Sequence, residues 1–248
     1  MKKIALFAVS CFLINSLLAQ DSTLTVTSAP VKKKKTPIDL SGRANDHFMV
    51  QLGYTGWAGK PDTINTSGFS KSFNVYFMFD FPFKSNPKLS MAFGPGISSD
   101  HIIFKKTYVG IKDITETFQF RDQSDTNHFK KTKLNTTYLE APVEFRYVAN
   151  PLNSDKSFKF AIGAKVGTMI KAHTRNKDFE NKNGNTLNSY TMKESSKRFF
   201  NTTRLVGTAR VGLGHFSLYG SYQITTLFKE GVAAEIRPFS IGLTISGL

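Results

Sequence analysis

Between Ser72 and Phe81 apolar and polar residues alternate without a break. Phe73, Val75, Phe77, Phe79 and Phe81 fall on one side, and Ser72, Asn74, Tyr76, Met78 and Asp80 on the other. Side chains of an extended strand point to opposite faces with period two, so the segment predicts a strand with one oily and one polar wall. The same alternation predicts a strand on either side of it. One runs over about 47–56, with Phe48, Val50, Leu52 and Tyr54 on the oily wall; the other runs over about 89–103, with Leu89, Met91, Phe93 and Ile97. A fourth, over 136–148, sets Leu139, Ala141, Val143, Phe145 and Tyr147 against Glu140, Pro142, Glu144 and Arg146. A fifth, over 157–170, sets Phe158, Phe160, Ile162, Ala164 and Val166 against Lys159, Ala161, Gly163, Lys165 and Gly167. Three more follow over 202–213, 216–227 and 235–247, with Arg204 and Arg210 on the polar wall of the first of these.

The connections fall into two classes. Those at Pro82–Lys88, Ala149–Lys156 and Gly214-His215 are short, whereas Phe104–Asn135 and Lys171–Asn201 are long and Trp57–Ser70 is intermediate. Eight alternating strands with short turns on one side and long loops on the other predict an all-β, eight-stranded antiparallel up-and-down transmembrane β-barrel, its short turns periplasmic. Strand extensions above the membrane are expected in the two long loops. A soluble calycin-like barrel shares the alternation but keeps its apolar face inside. Two features favour lipid outside. Glycine, alanine and serine crowd the polar wall, as a narrow lumen requires. Aromatic residues also stand near both ends of the oily wall: Tyr54, Trp57, Phe69 and Phe228 at the loop side, and Phe81, Tyr147, Phe158 and Phe216 at the turn side.

The N-terminus changes the picture by adding a route. Met1-Lys2-Lys3, an apolar run from Ile4 to Leu18 and then Ala19-Gln20-Asp21 predict a signal peptide over 1–19, with Cys11 inside its apolar run. Without the leader the chain has no cysteine, so no disulfide framework is expected. Residues 20–45 lack alternation and carry the run Lys32 to Lys35, which predicts a flexible periplasmic tail. The barrel is then expected over 46–248, in the outer membrane. The formal net charge is +15. For an exported chain this points to anionic lipid rather than nucleic acid. The Phe104–Asn135 loop has seven basic against four acidic side chains and the Lys171–Asn201 loop seven against three, which predicts outward loops facing lipid phosphates or an acidic partner.

The segment Tyr138-Leu139-Glu140-Ala141-Pro142-Val143-Glu144-Phe145-Arg146-Tyr147 resembles the "YLE-x-P" strand of PorT-like outer-membrane β-barrel proteins of the Bacteroidetes. Phe93 to Ser99 and Pro238 to Leu243 are similar to that family too, and the resemblance covers about 45–248. It implies an outer-membrane barrel, and for some members an accessory role beside the type nine secretion machinery.

Candidate chemistry is sparse. Asp80, Glu140, Glu144, Arg146, Lys159, Lys165, Arg204 and Arg210 are all expected to point into the lumen, where ions must be paired or hydrated. Acids and bases on neighbouring strands predict a salt-bridged, closed lumen. His47, His101, His128, His173 and His215 are scattered, so no metal, cofactor or catalytic residue is expected. His101 near Ser98 and Ser99 is the one cluster of a nucleophile and base type, with Asp100 adjacent but no orienting acid assigned. Gly94-Pro95-Gly96 is read as a sharp bend, not a phosphate loop. The expectation is a non-enzymatic outer-membrane barrel with lipopolysaccharide, outer-membrane lipid and envelope or secretion-complex proteins as partners. The alternatives are a small-barrel enzyme acting on outer-leaflet lipid and a soluble ligand-binding barrel.

Overall fold

A computed structural model describes residues 47–66 and 69–247; the expected leader over 1–19, tail over 20–45 and Lys32–Lys35 run lie outside them. Alternation along the chain becomes a closed ring. Its members are β1 (Phe48–Ala58), β2 (Lys71–Phe77), β5 (Gly96–Phe104), β8 (His128–Val148), β9 (Phe158–Glu180), β11 (Thr203–Leu213), β12 (Phe216–Gln223) and β13 (Arg237–Ser246). Each pairs antiparallel with the next, and β13 pairs back to β1. The short strands β3 (Phe79–Pro82) and β4 (Leu89–Phe93) complete the turn-side ends of the second and third members. The third member breaks at Gly94-Pro95, where proline removes a ladder donor. There β8 changes partner, from β5 at Glu140 to β4 at Val143.

The ring has the polarity of a membrane barrel. Phe73, Phe77, Phe79 and Phe81 are 43–51% exposed and Ile162 and Leu218 54% and 59%, while Ser72, Asn74, Glu140 and Arg210 are buried inside. The apolar side chains therefore face outward and the polar ones inward, the reverse of a soluble barrel.

Three elements lie outside the ring. A hairpin of β6 (Thr107–Val109) and β7 (Phe120–Asp122) forms in the first long loop, and β10 (Thr186–Ser195) pairs with the far end of β9. The fourth and fifth barrel strands are also much longer than their alternation indicates. Pairing of β8 with β9 runs from His128↔Glu180 to Val148↔Lys159. Strand β8 alone spans about 70 Å at about 3.3 Å per residue, well beyond the roughly 30 Å of hydrocarbon. Residues 128–135 and 171–180, expected in loops, are thus strand.

The long connections are not simply polar and cationic. Val109, Ile111, Phe118, Phe199, Phe200, Leu227 and Phe228 from the loops pack with Ile102, Phe104, Leu134 and Tyr138 from the inward wall of the ring. This apolar cap fills the loop end of the lumen. Backbone bonds lace it together: Phe118 N–H donates to Val232 O at 2.9 Å, Lys229 N–H to Phe199 O at 3.0 Å, and Asn201 N–H to Leu227 O at 3.0 Å. Trp57 and Phe228, expected in an interfacial girdle, are buried in this cap instead. The reason is local: the loops fold back over the barrel mouth and bring Phe104, Phe120 and Phe228 to 5.4, 6.0 and 6.1 Å from the Trp57 ring. Tyr54, Phe69, Phe81, Phe158 and Phe216 do stay exposed on the outer wall.

Candidate functional site: the charged lumen

Eight strands enclose a space that side chains fill. The fit here comes from size complementarity across the ladder. Tyr76 lies opposite Gly96, Glu140 opposite Gly167, Glu144 opposite Gly163, and Tyr219 opposite Gly242. A methyl group at Gly96 would strike the Tyr76 ring, and one at Gly167 would meet Glu140 Cγ at 2.9 Å. The small residues on the inward wall therefore make room for the large polar residues beside them.

The charges form two groups. In the first, Arg204 donates from Nε to Glu140 Oε1 at 2.7 Å and from Nη1 to Asp100 Oδ2 at 2.9 Å. Its Nη2 donates to Ser98 Oγ at 2.7 Å, and the guanidinium stacks 3.6 Å from the Tyr138 ring centre. Glu140 also accepts the Tyr76 hydroxyl at 2.6 Å, and Lys165 Nζ donates to Tyr76 Oη at 3.0 Å, 3.9 Å from Glu140. The network continues through neutral groups: Ser98 Oγ donates to Asn74 Oδ1 at 2.6 Å, and Asn74 Nδ2 donates to Gln51 Oε1 at 3.2 Å.

The second group centres on Glu144. Its Oε2 accepts Arg146 Nε at 2.9 Å and Arg210 Nη2 at 3.0 Å, and Arg146 Nη1 stands 3.7 Å from Asp80 Oδ1. Lys159 is buried on the same wall, toward the turns. Asp80, Glu140, Glu144, Arg146, Lys165, Arg204 and Arg210 thus fall in these two groups. In both groups the cations stand within 4 Å of carboxylates. A buried ion without such a partner costs several kcal/mol.

Sequence reasoning missed Asp100, Tyr76 and Tyr138 as members. The signal for Asp100 was present: Ser98 points inward, and period two carries that side to Asp100. The same parity separates the Ser–His–Asp cluster. Ser99 and His101 lie on the outer side, with Ser99 Oγ 3.2 Å from His101 Nε2, while Ser98 and Asp100 turn inward to Arg204. The acid therefore does not orient this histidine, and the arrangement is not that of a nucleophile, base and acid acting in line.

Residues 40–229 match the family model described as outer membrane protein beta-barrel domain. Among solved structures, two crystal structures of Ail, the attachment invasion locus protein of Yersinia pestis, are similar. In complex with the heparin analogue sucrose octasulfate it is 15% identical at a TM-score of 0.33, covering 80% of this chain and 96% of that one. The structure described without that compound is 13% identical at a TM-score of 0.34, covering 80% and 95%. No curated protein matches the chain.

Proposed function

The chain belongs to the outer membrane protein beta-barrel domain family, and from that premise we propose that it is a closed, non-enzymatic barrel that presents a basic surface to the cell exterior. One observation carries the reading: Arg204 on β11 reaches across the barrel interior to Glu140 on β8 and Asp100 on β5, directly beneath the apolar cap. Side chains fill an interior of this width, and the cap covers the mouth above the ion pairs. Reconstituted in a planar bilayer, the protein is expected to show no stable channel; steady large conductance would overturn the closed lumen.

The outward direction of the long loops rests on their basic excess and on the short turns opposite them. Protease added to intact cells is expected to cut within the connections over 105–127 and 181–202 and to spare Pro82–Lys88 and Ala149–Lys156. Cutting confined to the turns would reverse the topology. The partners of such a surface are outer-membrane lipid and lipopolysaccharide, together with envelope proteins. The PorT-like segment from Tyr138 to Tyr147 supports a finer assignment, an accessory of protein secretion or envelope assembly. What co-purifies with the protein in mild detergent tests that assignment: recovery without any secretion or assembly protein would sink it.

A further inference from the structure

Beyond the lipid-facing band, the outer wall of β8, β9 and β10 carries like charges directly opposite one another. Lys133 pairs with Arg175, Arg175 with Lys193, and Lys131 with Lys177. One row nearer the membrane, Lys71, His101, Asn135 and His173 are successive cross-strand neighbours. Like charges set opposite each other destabilise a sheet, so an ordinary solvated face alternates signs. Here the compensation is thin. Lys177 has Asp178 at 3.7 Å, but the groups that act on Lys133 are all basic. Burial first, and then Lys131, Arg175 and Lys71, hold the Lys133 ammonium below its ordinary pKa. Such a cluster is built to receive an anion.

A second feature lies on the same strands, closer to the middle of the membrane. Where the third barrel strand breaks at Gly94-Pro95, an open hollow of about 650 Å³ indents the outer wall. Phe79, Phe93, Leu139, Ala141 and Val166 line it, and its surface is almost wholly apolar. Along β8, Leu139 is four residues from Asn135, about 13 Å at about 3.3 Å per residue. Between them a bulge at Ile170-Lys171 on β9 marks the change: Ile170 ends the apolar band and Lys171 begins the basic rows, with Phe129, Phe179 and Tyr190 forming a separate aromatic cluster beyond them. An anion site therefore stands one short span above an apolar slot on a continuous wall.

We propose that this wall binds a phosphorylated, multiply acylated glycolipid of the lipid A class. Its phosphate rests on Lys133, His173 and Arg175, and one acyl chain descends into the hollow beside Ala141. This rests on the outward orientation proposed above, since only the outer leaflet supplies such a lipid. A phospholipid would meet the same hollow, but its single phosphate engages the belt at one point, whereas the basic rows run across three strands and suit a headgroup with more than one.

The full chain in phosphatidylcholine vesicles is the test, with binding of lipid A, of its dephosphorylated form and of phosphatidylglycerol measured separately. The unaltered protein is expected to retain lipid A well above either competitor. Charge removal in Lys133→Gln/Arg175→Gln/Lys193→Gln should weaken lipid A retention by on the order of a hundredfold and leave the dephosphorylated lipid unchanged. Filling the slot with Ala141→Phe should weaken both forms. Each variant is first checked for an intact barrel by its compact migration in unheated detergent gels. Equal retention of phosphatidylglycerol and lipid A, or a charge variant that still holds lipid A normally, would overturn the site. Vesicles present both leaflets, so this readout is independent of orientation in cells. Cleavage of the turns in intact cells would sink the topology, and with it the site's access to lipid A in the cell, whereas loss of lipid A selectivity in vesicles would sink the site and leave the topology standing.

Discussion

Removing one carboxylate from the lumen should cost more than any surface change: the Glu140→Ala variant is expected to lose about 3–5 kcal/mol of barrel stability. Glu140 is the hub of its group. It receives Arg204 through two nitrogens, takes the Tyr76 hydroxyl, and is the nearest acid to Lys165. Without it Arg204 retains Asp100, but Lys165 is left as a buried cation against an aromatic ring. Urea titration of the folded barrel in detergent reads the loss directly. Adding Lys165→Met to Glu140→Ala removes the stranded charge and should recover part of it. A loss below about 1 kcal/mol would mean that water, not the ion pairs, satisfies the lumen.

The second large effect lies in the cap. Phe118 sits amid four rings, 4.9 Å from Phe120 and Phe228, 5.3 Å from Phe199 and 5.6 Å from Phe200. Phe118→Ala should destabilise this cluster by about 3–5 kcal/mol, through lost burial and the cavity left behind. The effect should be local. Trp57, the single tryptophan, is buried against the same cluster and should shift its emission to the red, and residues 105–127 should be cut by protease faster than in the unaltered protein. The main unfolding transition of the ring should stay in place. A common shift of both transitions would mean that cap and ring unfold as one unit.

These two sites differ in how far a linear reading reaches them. The lumen was legible because inward and outward positions follow from period two alone: Glu144 and Arg146 on β8, and Arg204 and Arg210 on β11, needed no knowledge of the partner strand. The cap was not. Ile111, Phe118, Phe199 and Phe228 are apolar islands in polar loops with no period, and only contacts between loops far apart in the chain bring them together. The length of the fifth strand was hidden by a different cause. The bulge at Ile170-Lys171 places two successive side chains outward, so alternation halts there although hydrogen bonding continues to Glu180. Lys130-Lys131 obscured the matching end of β8 by their charge.

The seam between β1 and β13 joins opposite ends of the ring's sequence, pairing Val50 with Ile245, whereas every other pair in the ring lies closer in the chain. Closing so large a loop is entropically the slowest event available to this topology, and the β8–β9 hairpin has the advantage of a short turn. A partly assembled ring would therefore present β1 and β13 as two open edges, and in hydrocarbon each unpaired amide or carbonyl costs several kcal/mol. The approach is also tight: Gly53 faces Gly242 with the Tyr219 hydroxyl over them, so no larger side chain fits between the strands. Insertion of this protein must then either be concerted with closure of that seam or proceed with both edges held by another β-sheet until they meet.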